Sequence, residues 1–518
     1  MTANWASVLW RTAERAPTRV AIRDGDTSVD YAGLRDRAAT YAQLLVEAGV
    51  QPGDRVALLF RRSWDAVAAF AGVLAAGGVA VVLADVLRPR QIEHVVGHSG
   101  AVALVIAPDA TQHHRELEIA AKVLAPPPLP EPSSATTPHP PAAGPSREPV
   151  LRAGGDVAEL VYTSGSTGLP KGVTVTHANL HAGVAAVSEY LGIEDDDRIA
   201  GLLPFSFDYG KNQMLVAVAA GATLVIERSS VAARIDRTLR DAEVTVTACV
   251  PTLWNQLLQV PRFRDEPIPS LRIMTNTGGR LPEDTVRRLR AAQPQAALFS
   301  MYGLTEAFRS TYLDPTLIDQ KPTSIGRAIP GADVWVARPD GSRCDPYEVG
   351  EIVHRGPTVT LGYWEDPVAT SRVFRPAGEG AGQGEGEGHP DPGDVVVHSG
   401  DFAWMDADGD LYVEGRRDRM VKRLGYRVST DEVAEVVFAS GLVRDACVTA
   451  IPGPEEGADA DLVGHVVLTD GADVEALDRY LAVELPRHLR PSRLLVHDAL
   501  PTTPHGKHDV HALEELAR

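Results

Sequence analysis

The sequence predicts an α/β protein with a large N-terminal domain of layered α/β subdomains and a small α+β C-terminal domain. Residues 20–107 and 156–375 alternate short apolar strands with amphipathic helical patterns, which is typical of helices packed on a sheet. The hundred or so residues after Gly415 carry strands and helices of their own. A chain of 518 residues is also too long to fold around a single hydrophobic core of ordinary size. We therefore predict domains at 1–415 and 416–518.

The individual elements follow from local patterns. Leu34, Ala38, Tyr41 and Leu45 recur on one helix face, and VALLF at 56–60 predicts a buried strand. In the second domain, ACVTAI at 446–451 and VGHVVL at 463–468 predict strands. Two segments are predicted to form neither a helix nor a strand. Residues 126–149 are rich in proline, and residues 378–394 are rich in glycine and glutamate. We expect a flexible insertion and a mobile surface loop there.

Composition excludes several classes of protein. A formal charge of -19 and a pI near 5.3 disfavour a nucleic-acid partner, because no broad basic face is available. Cys249, Cys344 and Cys447 are far apart, which indicates neither a disulfide framework nor a zinc site. The N-terminus lacks the pattern of a secretion signal, and no uninterrupted apolar run approaches the ~18 residues of a membrane span. We expect a cytoplasmic protein without a membrane partner.

The most informative stretch is LVYTSGSTGLPKGV at 160–173. An apolar run, typical of a buried strand, ends in glycines, hydroxyls and a lysine, which together favour polyphosphate binding. The residues predicted to contact phosphate are Thr163, Ser164, Gly165, Ser166, Thr167, Gly168 and Lys171. A Walker A loop is disfavoured, because Pro170 precedes Lys171 and Gly172 follows it. The alternative is a surface turn rich in serine and glycine.

The same run resembles the glycine-rich ATP loop of the ANL superfamily of adenylate-forming enzymes, which includes acyl-CoA ligases and peptide-synthetase adenylation domains. Three further motifs follow in the order of that superfamily: MYGLTE at 301–306, SGDFAW at 399–404 and PTTPHGKHD at 501–509. The resemblance thus extends from 160 to 507. It implies the adenylate-forming enzyme fold, with a hinged C-terminal domain, and an ATP-dependent, AMP-forming ligase.

The resemblance implies a role for each motif in ATP binding. Thr305 would contact the α-phosphate, Glu306 would hold Mg²⁺, and Tyr302 would lie against adenine, roles that suit a hydroxyl, a carboxylate and an aromatic ring. The remaining nucleotide contacts implied are Gly278 and Gly279 beside the base, Asp401 and Arg416 at the ribose, and Lys422 near the linker. Asp418 would be the hinge. Taken alone, MYGLTE and the Gly-Asp pair are ordinary turns.

The resemblance also implies that Lys507 enters the active site and bridges the carboxylate nucleophile and the α-phosphate. A preorganised ammonium stabilises the negative charge that develops there. The alternative is a solvated surface lysine. The superfamily alternates two domain arrangements, one with Lys507 at the site for adenylation and one with the Gly425 region there for thioester formation.

The substrate is indicated by LLPFSFDYGKNQML at 202–215. Many CoA ligases carry histidine where this chain has Phe207, whereas amino-acid-activating domains follow that phenylalanine with an aspartate that binds the substrate ammonium. Asp208 is therefore the predicted specificity residue, and the alternative is that it caps a helix beginning near Lys211. Other pocket residues implied by the resemblance are Phe207, Tyr209, Lys211, Asn212, Thr277, Met301, Gly303, Arg309 and Ser310.

Two cations in that set, Lys211 and Arg309, allow two interpretations. Both face a second carboxylate of the substrate in one interpretation. In the other, Arg309 supports the fold and Lys211 points to solvent.

PFSFDYG and YGLTEAFRSTYL resemble stand-alone ligases, including those that load β-amino acids or alanine onto carrier proteins for macrolactam polyketides. We therefore predict activation of an amino acid, of the β type, and transfer to an acyl carrier protein. A fatty or aryl acyl-CoA ligase that uses CoA is the alternative. A catalytically silent metabolite sensor is a third hypothesis, disfavoured because Lys507, Glu306 and Asp401 are all retained.

Overall fold

The computed structural model describes residues 3–110, 117–129, 148–163, 170–377, 395–416, 420–423, 426–451, 460–503 and 506–518, without the side chains of Met420, Lys422, Tyr426 and Arg427. Most of the predicted insertion, the predicted loop at 378–394 and the predicted hinge Asp418 lie outside these residues. Within them, helices and strands alternate as the sequence predicts, and elements are numbered here along the chain.

One sheet has six strands in the order β6-β5-β3-β4-β7-β8. Its strands are β3 (Arg55–Leu59), β4 (Val79–Leu83), β5 (Ala103–Ile106), β6 (Lys122–Leu124), β7 (Val157–Thr163) and β8 (Lys171–Thr176). Neighbours are parallel except at the edge, where β7 and β8 form an antiparallel hairpin. The predicted strand at 56–60 is confirmed as β3.

A second sheet has nine strands in the order β15-β14-β13-β12-β11-β9-β10-β1-β2. Its strands are β1 (Val20–Asp24), β2 (Thr27–Asp30), β9 (Arg198–Gly201), β10 (Thr223–Ile226), β11 (Val246–Cys249), β12 (Ile273–Asn276), β13 (Ala297–Tyr302), β14 (Thr311–Tyr312) and β15 (Arg327–Ala328). The central strands are parallel, so the carboxyl ends of β12 and β13 lie at one edge, where Thr277, Gly278 and Gly279 follow β12 and the MYGLTE segment leaves β13.

Helices fill the space between the two sheets and cover their outer faces. The inner helices are α1 (Ala6–Arg15), α2 (Tyr31–Glu47), α3 (Trp64–Ala75), α5 (His177–Leu191) and α6 (Asp208–Ala220), and their buried side chains share one core with both sheets. The outer helices are α4 (Pro89–Ser99) on the six-stranded sheet, and α7 (Ala232–Asp241), α8 (Pro251–Leu258), α9 (Pro261–Asp265) and α10 (Glu283–Ala292) on the nine-stranded sheet. The predicted apolar face of α2 is confirmed, because the four residues that define it are all buried: Leu34, Ala38, Tyr41 and Leu45.

A third sheet carries the ribose motif. It consists of β16 (Asp333–Ala337), β17 (Gly350–Arg355), β18 (Phe374–Pro376), β19 (Val395–Met405) and β20 (Leu411–Arg416), with α11 (Pro367–Val373) beside it. Strands β19 and β20 are antiparallel, and their register places Asp401 opposite Arg416. The two predicted ribose ligands are therefore neighbours across one strand pair.

The C-terminal part has its own core. Its elements are β21 (Met420–Arg423), β22 (Tyr426–Ser429), α12 (Thr430–Ala439), β23 (Val443–Ile451), β24 (Asp461–Leu468), α13 (Val474–Glu484), β25 (Arg493–Val496) and α14 (Val510–Ala517). The two strands predicted here lie in β23 and β24. The domain boundary at residue 416 stays a prediction. No helix in the described ranges is long and apolar enough to cross a membrane.

Candidate active site

The predicted phosphate loop connects β7 to β8. Thr163 and Lys171 face each other in the last register pair of that hairpin, and Leu160 is buried in β7 as predicted. Ser164, Gly165, Ser166, Thr167 and Gly168 lie outside the described residues. The Lys171 ammonium lies 3.6 Å from Asp366 and 5.5 Å from the centre of the Tyr363 ring. The lysine is thus oriented by a carboxylate and an aromatic ring from the segment before α11.

A cavity of about 330 Å³ collects residues from all three later motifs. It lies at the carboxyl ends of β12 and β13, beside β19 and β20, and under the C-terminal part of the chain. The predicted residues that line it are Thr277, Gly278, Gly279, Met301, Tyr302, Gly303, Asp401, Arg416 and Lys507. Positions up to 230 residues apart in sequence (277 to 507) thus form one site.

Lys507 reaches this cavity in the present arrangement of the two parts. Its ammonium lies 5.3 Å from the centre of the Phe207 ring, and its Cε lies 3.0 Å from where a Cβ on Gly278 would stand. Gly278 also has a φ of +82°, which favours glycine. The Thr252 hydroxyl donates to the Gly506 carbonyl at 2.5 Å and fixes the turn before the lysine. This is the arrangement that the resemblance associates with adenylation.

The sequence did not indicate that His508 supports the lysine. Its Nε2 lies 3.0 Å from the Asp445 carboxylate on β23. Burial lowers the pKa of His508, but hydrogen bonds to Asp445 and Cys447 outweigh it and raise that pKa to about 10. A charged histidine therefore ties the turn that carries Lys507 to the sheet of the C-terminal part.

Tyr302, Asp401 and Arg416 form a connected group on the cavity wall. The Tyr302 hydroxyl donates to Asp401 Oδ2, and Arg416 Nε lies 3.7 Å from Asp401 Oδ1. Burial, followed by the charge of Asp401, holds the pKa of Tyr302 well above its usual value, so the phenol stays a donor. The carboxylate is oriented from both sides, as suits an acceptor for the hydroxyls of a ribose.

Glu306 and Thr305 lie in a short 3₁₀ turn, Thr305–Ala307, which begins three positions after the last residue of β13. Glu306 Oε1 accepts a hydrogen bond of 2.6 Å from the Tyr363 hydroxyl. Burial raises the pKa of Tyr363, and the charge of Glu306 raises it further. The same tyrosine ring lies beside Lys171. Tyr363 thus connects the predicted metal ligand to the lysine of the phosphate loop, a role that a tyrosine in the turn LGYWEDP does not reveal in sequence.

Replacing Tyr363 with phenylalanine should weaken the orientation of Glu306. A hydrogen bond to a charged group contributes about 1.5–3 kcal/mol, so we expect the Mg²⁺ concentration for half-maximal ATP–pyrophosphate exchange to rise roughly tenfold. Tyr347→Phe, at an exposed tyrosine, is the matched control. An unchanged Mg²⁺ requirement in the Tyr363 variant would contradict the role.

Helix α6 presents the predicted specificity residue. The helix begins at Asp208, three positions before the start near Lys211 that the capping alternative assumed. Asp208 is half-buried in the first turn, and its Oδ1 accepts a hydrogen bond from the Tyr209 amide at 2.8 Å. The Tyr209 hydroxyl in turn donates to the Thr275 carbonyl at 2.9 Å. The Asp208 carboxylate therefore accepts a hydrogen bond within the first turn of the helix, and the residue follows Phe207 directly in the chain.

Lys211 corrects an expectation. Its side chain is buried and forms an ion pair with Glu159 on β7, which is also buried. It therefore points neither to solvent nor to a substrate carboxylate, because the protein itself neutralises it. The sequence around Lys211 could not predict this ion pair, because Glu159 lies on another element.

The remaining pocket residues have distinct surroundings. The Ser310 hydroxyl lies 2.9 Å from His354 Nδ1, and burial lowers the pKa of that histidine to about 4. Met301 Sδ accepts a hydrogen bond from Tyr190 at 3.0 Å. The Arg309 guanidinium lies 4.9 Å from the centre of the Tyr209 ring, and neither Arg309 Nε nor Asn212 Nδ2 has a hydrogen-bond partner among the described residues.

A carboxylate from the C-terminal part contacts the cavity rim. Glu435 on α12 lies 2.7 Å from Arg280, which follows Gly279. Burial raises the pKa of Glu435 to about 7; Arg280 opposes that shift, and the charges of Asp431, Glu432 and Glu414 add to it. Desolvation and acidic neighbours therefore outweigh the ion pair with Arg280, and we expect docking of this helix to take up a proton.

This pKa predicts a pH dependence of docking. Because the docked pKa of about 7 exceeds the ordinary value of 4.5, docking is most favourable below pH 4.5 and weakens as the pH rises through 7. Glu435→Gln, which mimics the protonated acid, should remove this dependence. Energy transfer between dyes on the two parts, followed from pH 5 to 8, would measure it, and equal slopes in both proteins would contradict the assignment.

Comparison with known proteins agrees with this geometry. The family model of AMP-binding enzymes matches residues 9–364, and the model of the AMP-binding enzyme C-terminal domain matches residues 432–507. The chain is 32% identical over 512 residues to the L-proline--[L-prolyl-carrier protein] ligase of Pseudomonas fluorescens Pf-5, with 96% of each covered. It is 31% identical over 502 residues to the feruloyl-CoA synthase of an Amycolatopsis species, again with 96% of each covered.

Among solved structures, O-succinylbenzoate coenzyme A synthetase of Bacillus subtilis in complex with ATP and magnesium ion matches with a TM-score of 0.81 and 25% identity, covering 99% of each chain. Fold, cavity and matches together define an ATP-dependent, AMP-forming ligase with the adenylate-forming enzyme fold. The chain belongs to the AMP-binding enzyme family, within the ANL superfamily. The predicted superfamily, fold and reaction class are confirmed.

Proposed function

We propose that this ligase activates an amino acid, of the β type, and transfers it to the phosphopantetheine thiol of a discrete acyl carrier protein in natural-product biosynthesis. The observation that carries the proposal is the position of Asp208. It directly follows Phe207, whose ring lies 5.3 Å from the Lys507 ammonium. A small amino acid could therefore place its carboxylate near Lys507 and its ammonium near Asp208.

In the first half-reaction, a carboxylate oxygen attacks the α-phosphorus of ATP, and pyrophosphate leaves. Lys507 would hold both anions and stabilise the charge that builds up on the α-phosphoryl oxygens, with the Thr305 hydroxyl beside them. Glu306 would hold Mg²⁺, because it is a half-buried carboxylate oriented by Tyr363. When bound, Mg²⁺ neutralises phosphate charge.

The nucleoside would be held by the group that Tyr302, Asp401 and Arg416 form on the cavity wall. Asp401, oriented by Tyr302 and Arg416, would accept hydrogen bonds from the ribose hydroxyls, and the Tyr302 ring would contact adenine. Gly278 and Gly279, which line the cavity, would lie beside the base. The cavity offers the donors, the acceptor and the apolar surface that ATP needs.

In the second half-reaction, a thiol attacks the acyl carbon of the adenylate, and AMP leaves. The similarity to the prolyl-carrier protein ligase supports a carrier protein as thiol donor. The equally extensive similarity to feruloyl-CoA synthase favours the alternative, an acyl-CoA ligase that activates a fatty or aryl acid.

A substrate panel separates the two candidates. ATP–pyrophosphate exchange would be measured with α-amino acids, β-amino acids, fatty acids and aryl acids, and we expect the β-amino acids to be fastest. Loading would then be followed by mass spectrometry with CoA and with discrete phosphopantetheinylated carrier proteins. Exchange with fatty or aryl acids alone, followed by transfer to CoA, would replace the proposal with the alternative.

Asp208→Ala provides the mutational test. Losing the partner of a desolvated ammonium costs about 3–5 kcal/mol, whereas losing a helix cap costs roughly 1 kcal/mol. We therefore expect KM for the amino acid to rise at least ~100-fold while the protein stays folded. Asp265→Ala, on the surface helix α9, is the control. A rise below fivefold in a normally folded Asp208 variant would show that Asp208 does not bind the ammonium.

A further inference from the structure

Arg309 differs from the other buried cations of this protein. Among the residues that the structure describes, three arginines or lysines are buried: Arg37, Lys211 and Arg309. Arg37 pairs with Asp65 at 2.7 Å, and Lys211 pairs with Glu159. Arg309 is only 3% exposed, and among the described residues its Nε has no hydrogen-bond partner and no carboxylate lies within ion-pairing distance of it. Within that part of the chain, the buried charge of Arg309 has no anionic partner.

The two described groups that lie beside the Arg309 guanidinium are uncharged and supply no counter-ion. The Tyr209 ring lies 4.9 Å from the guanidinium, and the Tyr190 hydroxyl lies beside it. An aromatic face and a neutral hydroxyl compensate a desolvated guanidinium less well than a carboxylate does. A buried charge without its counter-ion is strongly destabilising, so the missing partner is expected to come from a ligand.

The side-chain amide of Asn212 is a second buried donor that indicates a missing ligand. Asn212 is buried on α6, and its Nδ2 has no hydrogen-bond partner among the described residues. It follows Asp208 by four positions, which places the two side chains on one side of the helix. Both unpartnered groups, Arg309 Nε and Asn212 Nδ2, are donors only. A ligand that satisfies them must offer acceptors.

The position of Arg309 connects it to the cavity. Its Cδ lies 3.4 Å from where a Cβ on Gly303 would stand, and Gly303 lines the cavity together with Met301 and Lys507. The ring on which the guanidinium packs belongs to Tyr209, the residue after Asp208. Arg309 thus lies against Gly303 on the cavity wall, and the helix that carries its aromatic neighbour Tyr209 also carries Asp208 and Asn212.

We propose that Arg309 binds a second carboxylate of the substrate, so that the activated acid is a dicarboxylic amino acid. The inference rests on the proposed function: one carboxylate reacts near Lys507, the ammonium pairs with Asp208, and the distal carboxylate accepts from Arg309 and Asn212. Lys211 has no part in this recognition, because Glu159 neutralises it.

The test compares acids with their uncharged amides in ATP–pyrophosphate exchange. Aspartate, glutamate and β-glutamate would be measured against asparagine, glutamine, β-alanine and 3-aminobutyrate. We expect the best dicarboxylic amino acid to exceed its amide in kcat/KM by about 10²- to 10³-fold, the range for truncating one partner of a buried charge pair. Arg309→Gln should remove that preference, and Arg309→Lys should restore part of it. Arg264→Gln, on the surface, is the matched control.

Each outcome distinguishes this inference from the proposed function. Preference for neutral amino acids, unchanged in Arg309→Gln, would overturn the second-carboxylate site and leave amino-acid activation standing. Exchange with succinate or glutarate, but with no amino acid, would support the Arg309 site and overturn the amino-acid proposal. Exchange with monocarboxylic fatty or aryl acids alone would overturn both. The wild-type panel decides even where a variant fails to fold.

Discussion

Replacing Lys507 with alanine is expected to slow ATP–pyrophosphate exchange by about 10²- to 10³-fold, the usual effect of removing one group that stabilises transition-state charge. The lysine enters the cavity from the C-terminal part and lies against Phe207, with Gly278 leaving space for its side chain. Its ammonium is therefore placed where the carboxylate and the α-phosphate are expected to meet.

The second half-reaction supplies an internal control for that variant. Transfer from a supplied acyl-adenylate to the thiol should proceed at nearly the wild-type rate, because Lys507 is assigned to adenylation alone. Lys122→Ala, at an exposed lysine on β6, should leave both steps unchanged. An exchange rate within threefold of wild type in Lys507→Ala would refute the role.

Replacing Glu159 with alanine should destabilise the protein by about 3–5 kcal/mol, because it leaves the Lys211 ammonium buried and unpaired. The pair joins β7 to α6 inside the core between the two large sheets. Urea unfolding followed by tryptophan fluorescence would measure the loss as a lower midpoint.

The double variant Glu159→Leu with Lys211→Met tests the cause. A buried ion pair replaced by apolar side chains of similar size is often neutral for stability, so the double variant should recover most of the loss. A double variant as unstable as Glu159→Ala would show that packing, and not charge, sets the cost. Glu243→Ala, at an exposed ion pair with Arg198, should change stability by less than ~1 kcal/mol.

Local patterns predicted the elements well and the site in part. The face of α2 and the strand β3 follow from periodicity, which depends only on neighbouring residues. The resemblance to the ANL superfamily implied nucleotide roles for MYGLTE and SGDFAW, and the structure brings Tyr302 and Asp401 into contact. Their roles toward ATP stay predictions.

Partners distant in sequence could not be predicted. Lys211 and Glu159 are 52 positions apart, Tyr363 and Glu306 are 57 apart, and His508 and Asp445 are 63 apart. Each pair joins two elements whose packing only the folded chain defines. A one-dimensional pattern gives the charge of Lys211 but not the carboxylate that neutralises it.

The Lys211–Glu159 pair also bears on how such a ligase can diversify. Strand β7, which carries Glu159, leads directly into the predicted phosphate loop, and α6, which carries Lys211, presents Asp208 and Asn212. The ion pair between the two elements holds α6 against the strand that leads into the phosphate loop, so other residues near Asp208 can be exchanged while the helix stays in place. Engineering of new substrate preferences should therefore vary Asn212 and Arg309 and leave Lys211 and Glu159 in place.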